Sequence, residues 1–312
     1  MASSGSVDFT VTRDNLIADA LGMVGAVGPA DTPAAGLVTH AARQLNIVAK
    51  GLMSLGCSLW ARKTGYILPQ SGTNEIDLGP SGDHATLSYV QTTLSAAAAS
   101  GASSITVASA TGISASDYIG VEQTDGTIHW TTVNGAPSGS TITLTAVTTA
   151  AADSGDFVWT YTTKLQRPIK ILEAFARTET AETDVPMEVL AKSQYDLLGA
   201  KTAEGLPNQI AYDPHLVDGR AYIYPRFSDG RSAIVIVFQR PFEDFDAAGD
   251  TPDFPVEWYQ PLLYGLAVLL APTYGLPVQD RRELRGEYQA ALGLAMSNEP
   301  EEGSYFIQPD SR

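Results

Sequence analysis

The sequence predicts a mainly α chain: a helical-bundle fold with small β-hairpins and an inserted all-β domain, barrel or sandwich. Three observations predict it. Apolar residues recur at helical spacing near both ends of the chain, the stretch from Thr92 to Thr163 turns abruptly to Ser, Thr, Ala and Gly, and short β-branched and aromatic runs inside that stretch alternate with turn signals. At 312 residues, 44% hydrophobic and 17% charged, the chain is long enough to bury a real core, which excludes wholesale disorder.

Thr12 or Asp14 caps a first helix whose Leu16, Ile17, Ala20, Leu21 and Val24 share one face, and Gly25 to Pro29 stops it. The spacing of Gly22, Gly25 and Gly28 is only superficially that of a phosphate loop, because it ends a helix instead of joining a strand to one; it reads as a C-terminal cap and turn. A second helix runs from about Pro33 to Gly56 with Leu37, Ala41, Leu45, Val48, Leu52 and Leu55 on one face, and the two are expected to pack as a hairpin. Tyr66 to Pro69 and Glu75 to Leu78, either side of a polar turn, predict a small β-hairpin. Residues 1–91 thus form the first part of the core.

Residues 92–163 are expected to be an inserted β domain. Lys and Arg vanish from it, and the runs Ser104 to Val107, Tyr118 to Glu122, Ile128 to Val133, Thr141 to Leu144 and Phe157 to Tyr161 read as strands, with Asp125-Gly126 and Asn134-Gly135 as turns. The Ala- and Ser-rich lead-in from Leu94 to Ser103 reads equally as ordered chain or as low-complexity disorder.

Residues 164–297 return to the core. Ile169 to Ala176 is a strand or the start of a helix, Val189 to Leu198 is helical, and Ala221 to Tyr224 pairs with Ala233 to Gln239 around Ser228-Asp229-Gly230. Pro255 opens a helix lined by Trp258, Leu262, Leu263, Leu266 and Leu270, which kinks at Pro261 or begins in earnest there. A last helix spans Val278 to Ser297, with Leu284, Tyr288, Leu292 and Met296 in register. Residues 298–312 read as an extended docking tail: Pro300, Glu301, Glu302 and Gly303 break the helix, and Tyr305, Phe306 and Ile307 follow, too near the terminus to build a core of their own; the alternative is that the tail folds back on its own subunit.

The balance of 19 basic and 35 acidic residues, a formal charge of -16, argues against binding nucleic acid by phosphate neutralisation. A lone Cys57 excludes an internal disulfide and any multi-thiolate metal framework. The opening residues do not read as a secretory signal, and the longest apolar run, Leu262 to Ala271, is about half of a membrane span, so a soluble protein made in the cytosol is expected. His40, His84, His129 and His215 are scattered, with no second His or Cys at ligand spacing. The acids Glu243, Asp244, Asp246, Asp250 and Asp253 fail the EF-hand pattern at Ala248 and Pro255 and read as a solvated loop. Tyr118, Trp130 and Trp159 could form a sugar-binding platform on the insert surface, although aromatics in strands more often belong to a core. No catalytic residue, metal site or cofactor site emerges.

The segments outside the insert resemble the podovirus head-to-tail adaptor proteins, the tail accessory factors that stabilise packaged DNA. The resemblance is carried by Arg13-Asp14, Leu16-Ile17, Ala20-Leu21 and Gly25, then Leu45-Asn46, Lys50, Leu59-Trp60 and Tyr66. It continues through Gln166-Arg167-Pro168-Ile169, Ile171-Leu172, Tyr195, Leu198 and Lys201. Gly205-Leu206-Pro207, Asp213-Pro214, Tyr224-Pro225, Pro252-Asp253-Phe254-Pro255 and Glu257-Trp258 follow in the same order as in the family.

The resemblance implies a subunit that assembles as a homo-oligomeric ring, a dodecamer, at the head-tail junction of the virion after assembly in the host cytoplasm. Such a ring joins the portal protein to a tail nozzle or hub, continues the DNA channel for packaging and ejection, and lets double-stranded DNA pass without specific binding. It implies no enzyme activity, no cofactor and no membrane. In the family the C-terminal tail reaches along the portal, which makes Tyr305, Phe306 and Ile307 the expected portal-docking residues. An acidic channel wall would hold DNA off by like charge. The insert departs from the simplest family pattern and would suit contact with a tail fibre or a decorating protein. The competing expectation is a tail-associated cell-wall hydrolase or glycan-binding protein using Trp130 and Trp159.

Overall fold

A computed structural model describes residues 5–6, 8–28, 31–55, 59–178, 183–228 and 230–297. Two helices, α1 (Arg13–Met23) and α2 (Ala35–Met53), come first, followed by strands β1 (Arg62–Ile67), β2 (Glu75–Leu78) and β3 (Ala85–Thr86). The stretch without Lys or Arg contributes β4 (Val90–Thr93), β5 (Ser104–Thr106), β6 (Tyr118–Glu122), β7 (Ile128–Thr132), β8 (Thr141–Thr143) and β9 (Phe157–Tyr161). Then come β10 (Lys170–Thr178), β11 (Thr183–Leu190), a short α3 (Lys192–Asp196), β12 (Gln209–Asp213), β13 (Gly219–Tyr224) and β14 (Ser232–Gln239), before α4 (Tyr259–Leu270) and α5 (Val278–Ser297). The chain divides into two compact units, residues 1–61 with 242–312, and residues 62–241.

The expectation of a mainly α, helical-bundle protein is overturned. Strand accounts for 29% of the chain and helix for 26%, with five helices among the described residues and an eight-stranded, nearly closed sheet. Segments of ambiguous periodicity went to the sheet: of Ile169 to Ala176, all but Ile169 lies in β10, and Val189 and Leu190 end β11, leaving only the five residues of α3 as helix in that region. Short apolar runs fit either period, and the neighbouring strands decided between them. Both predicted local pairings also fail. β1 pairs with β14 and β3, β2 pairs with β13, and β13 and β14 do not pair with each other.

In the first unit, the Thr12 hydroxyl accepts from the Asn15 amide and caps α1, as its position at the start of the apolar stripe implies. At the other end, Ala26 N donates to Leu21 O and Gly25 N to Gly22 O, while Gly25 adopts φ +70°, a left-handed C-terminal cap that glycine takes without a Cβ penalty. α1 and α2 both pack on α4, and α4 packs on α5. Pro261 sits in the first turn of α4, where its missing N–H leaves no intrahelical bond unmade. Ile17, Leu21, Leu45, Leu52, Trp258, Leu262 and Leu266 are buried in the common core.

In the second unit, the sheet order is β2-β13-β12-β11-β10-β14-β1-β3, antiparallel except between β11 and β12. The two edge strands are tied through the loop between them: Asp83 N donates to Asp77 O at 2.7 Å, and Asp77 N to Asp83 Oδ2 at 2.8 Å. Alternation sets the faces. Ile67, Ile210, Ile223, Ile234, Ile236 and Phe238 fill one core, while the alternate residues Tyr66, Ala211, Tyr222 and Ala233 belong to clusters on the opposite face. The strands β4 to β9 make a four-stranded sheet, β4-β9-β6-β7, and the pair β5-β8, which share a core of Leu94, Ile105, Ile119, Ile142 and Val158. The Leu94 to Ser103 segment is ordered, with Ala98 exchanging backbone hydrogen bonds with Ala152.

Candidate functional site

Tyr118, Trp130 and Trp159 are brought together, but against the rest of the second unit. Trp159 is fully buried, and its indole N–H donates to Gly230 O at 2.9 Å. Trp130 donates to Pro69 O at 3.1 Å and lies on Gly120 so closely that a Cβ there would come within 2.7 Å of the ring. Tyr118 stacks on Tyr161 at 4.9 Å between ring centroids, with the Lys164 ammonium 5.1 Å from its own ring. The two tryptophans satisfy their indole N–H groups on main-chain carbonyls, all three rings pack on neighbouring side chains, and Trp159, fully buried, has no surface left for a sugar.

His84 joins this cluster, a placement its lone position in a loop did not reveal. Its ring stacks on Trp130, with centroids 3.8 Å apart and planes 9° from parallel, and Nδ1 lies 2.9 Å from the Tyr161 hydroxyl. Burial, with the Lys164 charge adding to it, holds the imidazole down to about 3 from its ordinary 6.5. Burial likewise pushes the Tyr161 phenol up, so a protonated Tyr161 donating to a neutral Nδ1 is the consistent arrangement. An imidazole held neutral this far down is a weak base near neutral pH, and the pair is a structural contact.

The remaining histidines stay apart: His129 lies 3.3 Å from Ala146 O, His215 3.2 Å from Asp213 Oδ2, and His40 is on α2. The acidic loop is tied to its own backbone. Asp250 Oδ2 accepts from Asp246 N and Ala247 N, Asp253 Oδ2 accepts from Glu243 N, and Asp244 pairs with Lys50 at 2.7 Å. Among the described residues no group of three or more His, Cys, Asp or Glu could hold a metal ion, and no helix is long and apolar enough to cross a membrane. Cys57 and the predicted docking residues Tyr305, Phe306 and Ile307 lie outside the described residues.

One constellation in the first unit gathers residues from both ends of the chain around the segment 242–258. Arg13 donates from its amide to Asp250 O at 2.7 Å and from its guanidinium to Asp246 O at 2.9 Å. The Asn46 side chain bonds both polar groups of the Phe245 backbone, and Lys50 donates to Phe242 O. Trp60 stacks on Phe242 with centroids 5.6 Å apart, touches Trp258 at 5.1 Å and donates to Asp253 O at 3.3 Å. This is a structural clamp, without a nucleophile or an acid-base pair.

The same unit carries an open apolar slot of about 300 Å³ between α2, α4 and α5. Val48, Leu52 and Tyr288 line it, together with Ile47, Leu55 and Leu269, each more than a third exposed. Gly265 allows the approach: a Cβ there would come within 2.9 Å of Val48 and 3.1 Å of Tyr288. Val268 is shared with an adjoining pocket of about 250 Å³ whose lining includes Arg281, Arg282 and Arg285. Arg281 Nε is buried without a hydrogen-bond partner. The three arginines were visible in the sequence as a cluster on one helix of an acidic chain, but their place beside an apolar slot required α4 to be set against α5.

No family model matches this chain, and no curated protein matches it.

Proposed function

We propose that the chain is a structural head-to-tail adaptor of a short-tailed bacteriophage, a ring-forming subunit that joins portal to tail and continues the DNA channel. The observation that carries the reading is the clamp in the first unit. Arg13, Asn46, Lys50 and Trp60 act on one segment of backbone, 242–258, which contains Asp253 and Trp258, and all six carry the family resemblance at the two ends of the chain. Residues that resemble a family in order and also share one structural task are better support than either alone. A further feature suits a protein that works through surfaces: the exposed apolar slot. The formal charge of -16 suits a channel through which DNA slides. No observation favours the glycan reading: Trp159 is buried, and Tyr118 and Trp130 are half-buried against Tyr161 and His84.

The test is to mix the purified full chain with its cognate portal ring and image the product. Rings of the chain seated on the portal are expected, with no clearing of peptidoglycan suspensions. A chain that stays monomeric beside the portal, or that degrades peptidoglycan, overturns the reading.

A further inference from the structure

We infer that the tail of a second copy of this chain docks in the slot between α2, α4 and α5, its glutamates over the three arginines and its aromatics in the apolar part. The inference rests on the reading of the chain as a self-associating subunit and names the contact, assigning Tyr305, Phe306 and Ile307 to a neighbouring copy in place of the portal.

Two patterns match in order. The groove has a cationic end, at Arg281, Arg282 and Arg285, continuous through Val268 with an apolar end at Ile47, Leu55, Leu269 and Tyr288. The tail has an anionic half, Glu299, Glu301 and Glu302, followed by Tyr305, Phe306 and Ile307. Asp280, Glu283 and Glu287 share α5 with the arginines, but they do not line the pocket, and Glu283 accepts from Gln279. In a chain with 35 acids, three arginines facing one hollow with a buried Nε unsatisfied call for carboxylates from outside the described residues. Exposed apolar side chains grouped in one slot likewise mark a binding surface, and a short segment with large aromatics anchors well in such a groove.

Chain length selects the second copy over the chain's own tail. Along α5, Tyr288 lies about 14 Å, Arg285 about 18 Å and Arg281 about 24 Å back from Ser297, at 1.5 Å per residue. From Ser297 an extended chain reaches about 7 Å at Glu299 and about 17 Å at Glu302. A tail turning back extended along its own helix would therefore set Glu301 level with Tyr288 and Glu302 with Arg285, and would carry Tyr305, Phe306 and Ile307, at about 27–34 Å, past Arg281 and away from the apolar slot. A tail that enters from the α4–α5 turn and runs in the direction of α5 meets both in the matching order, and that tail belongs to another copy.

The test uses the full chain with p-benzoylphenylalanine in place of Phe306. Equal amounts of light and nitrogen-15-labelled protein are mixed at assembling concentration and irradiated. Adducts joining light to heavy peptides from 47–55 or 265–269 are expected. Adducts only within one isotope, adducts elsewhere, or none would overturn the inference. Arg282→Glu with Arg285→Glu should cut the mixed adduct at least about tenfold, the scale of losing an interface anchor, and Glu301→Arg with Glu302→Arg in the same chain should restore it. Failure of that restoration overturns the charge pairing. Rings that assemble on the portal without mixed adducts refute this contact and leave the adaptor reading standing, whereas a chain that forms no assembly at all removes both.

Discussion

The Asn46 carboxamide holds both backbone polar groups of Phe245: Oδ1 accepts from the amide at 2.9 Å and Nδ2 donates to the carbonyl at 3.2 Å. The two residues are 199 positions apart. A side-chain amide is the one neutral group that offers an acceptor and a donor side by side, so it substitutes for a strand partner where the chain 242–258 has none. Phe242, Phe245 and Phe254 are thereby kept in the core of the helical unit.

Asn46→Ala removes both bonds and strands the Phe245 amide and carbonyl in a part-buried place, so it should lower stability by about 1–3 kcal/mol. Urea unfolding checks this. The midpoint should fall with an unchanged slope, and an unmoved midpoint would show that the clamp carries no load.

Trp159→Phe keeps most of the apolar volume but leaves Gly230 O without its donor, which should cost about 1–3 kcal/mol, whereas Trp159→Ala adds a cavity and should cost about 3–5 kcal/mol. Thermal unfolding of the two variants would separate the hydrogen bond from the packing. An unchanged midpoint for Trp159→Phe would mean that the bond to Gly230 contributes nothing.

His84 makes stability depend on acid. The unfolded chain binds its proton near 6.5 while the folded group waits until about 3, so its contribution is complete above 6.5 and is lost as pH falls between those values. The slope for this one group is at most about 1.4 kcal/mol per pH unit. His84→Phe keeps a ring on Trp130 and cannot titrate. The stability of the native chain relative to this variant should therefore fall from about pH 7 to about pH 5, read by urea unfolding at each pH. A constant difference would refute the shifted titration.

Legibility followed the range of the interactions. The α1 cap at Thr12, the turn at Gly25 and the strands β6 and β9 could be read within a few residues, because capping geometry and alternation are local. The hairpin of β1 with β2 and the pair of β13 with β14 were misread for the opposite reason. Nearness in sequence suggested those partners, and the sheet interleaves strands from distant segments instead. Among candidate site residues, the aromatic content of the insert was legible, but that Trp159 and Trp130 face Gly230 and Pro69 was not. Nothing around residues 69 or 230 marks a carbonyl as an acceptor.

By itself, the sequence determined the local elements, the acidic charge, and the bipartite tail of glutamates and aromatics. Only the tertiary structure decided the balance of strand over helix, the burial of Trp159 and Tyr161, and the junction of an arginine pocket with an apolar slot. The physical reason is that side-chain period and caps are written over a few neighbouring residues. Strand partnership and the joining of surfaces depend on which distant segments can exclude water together.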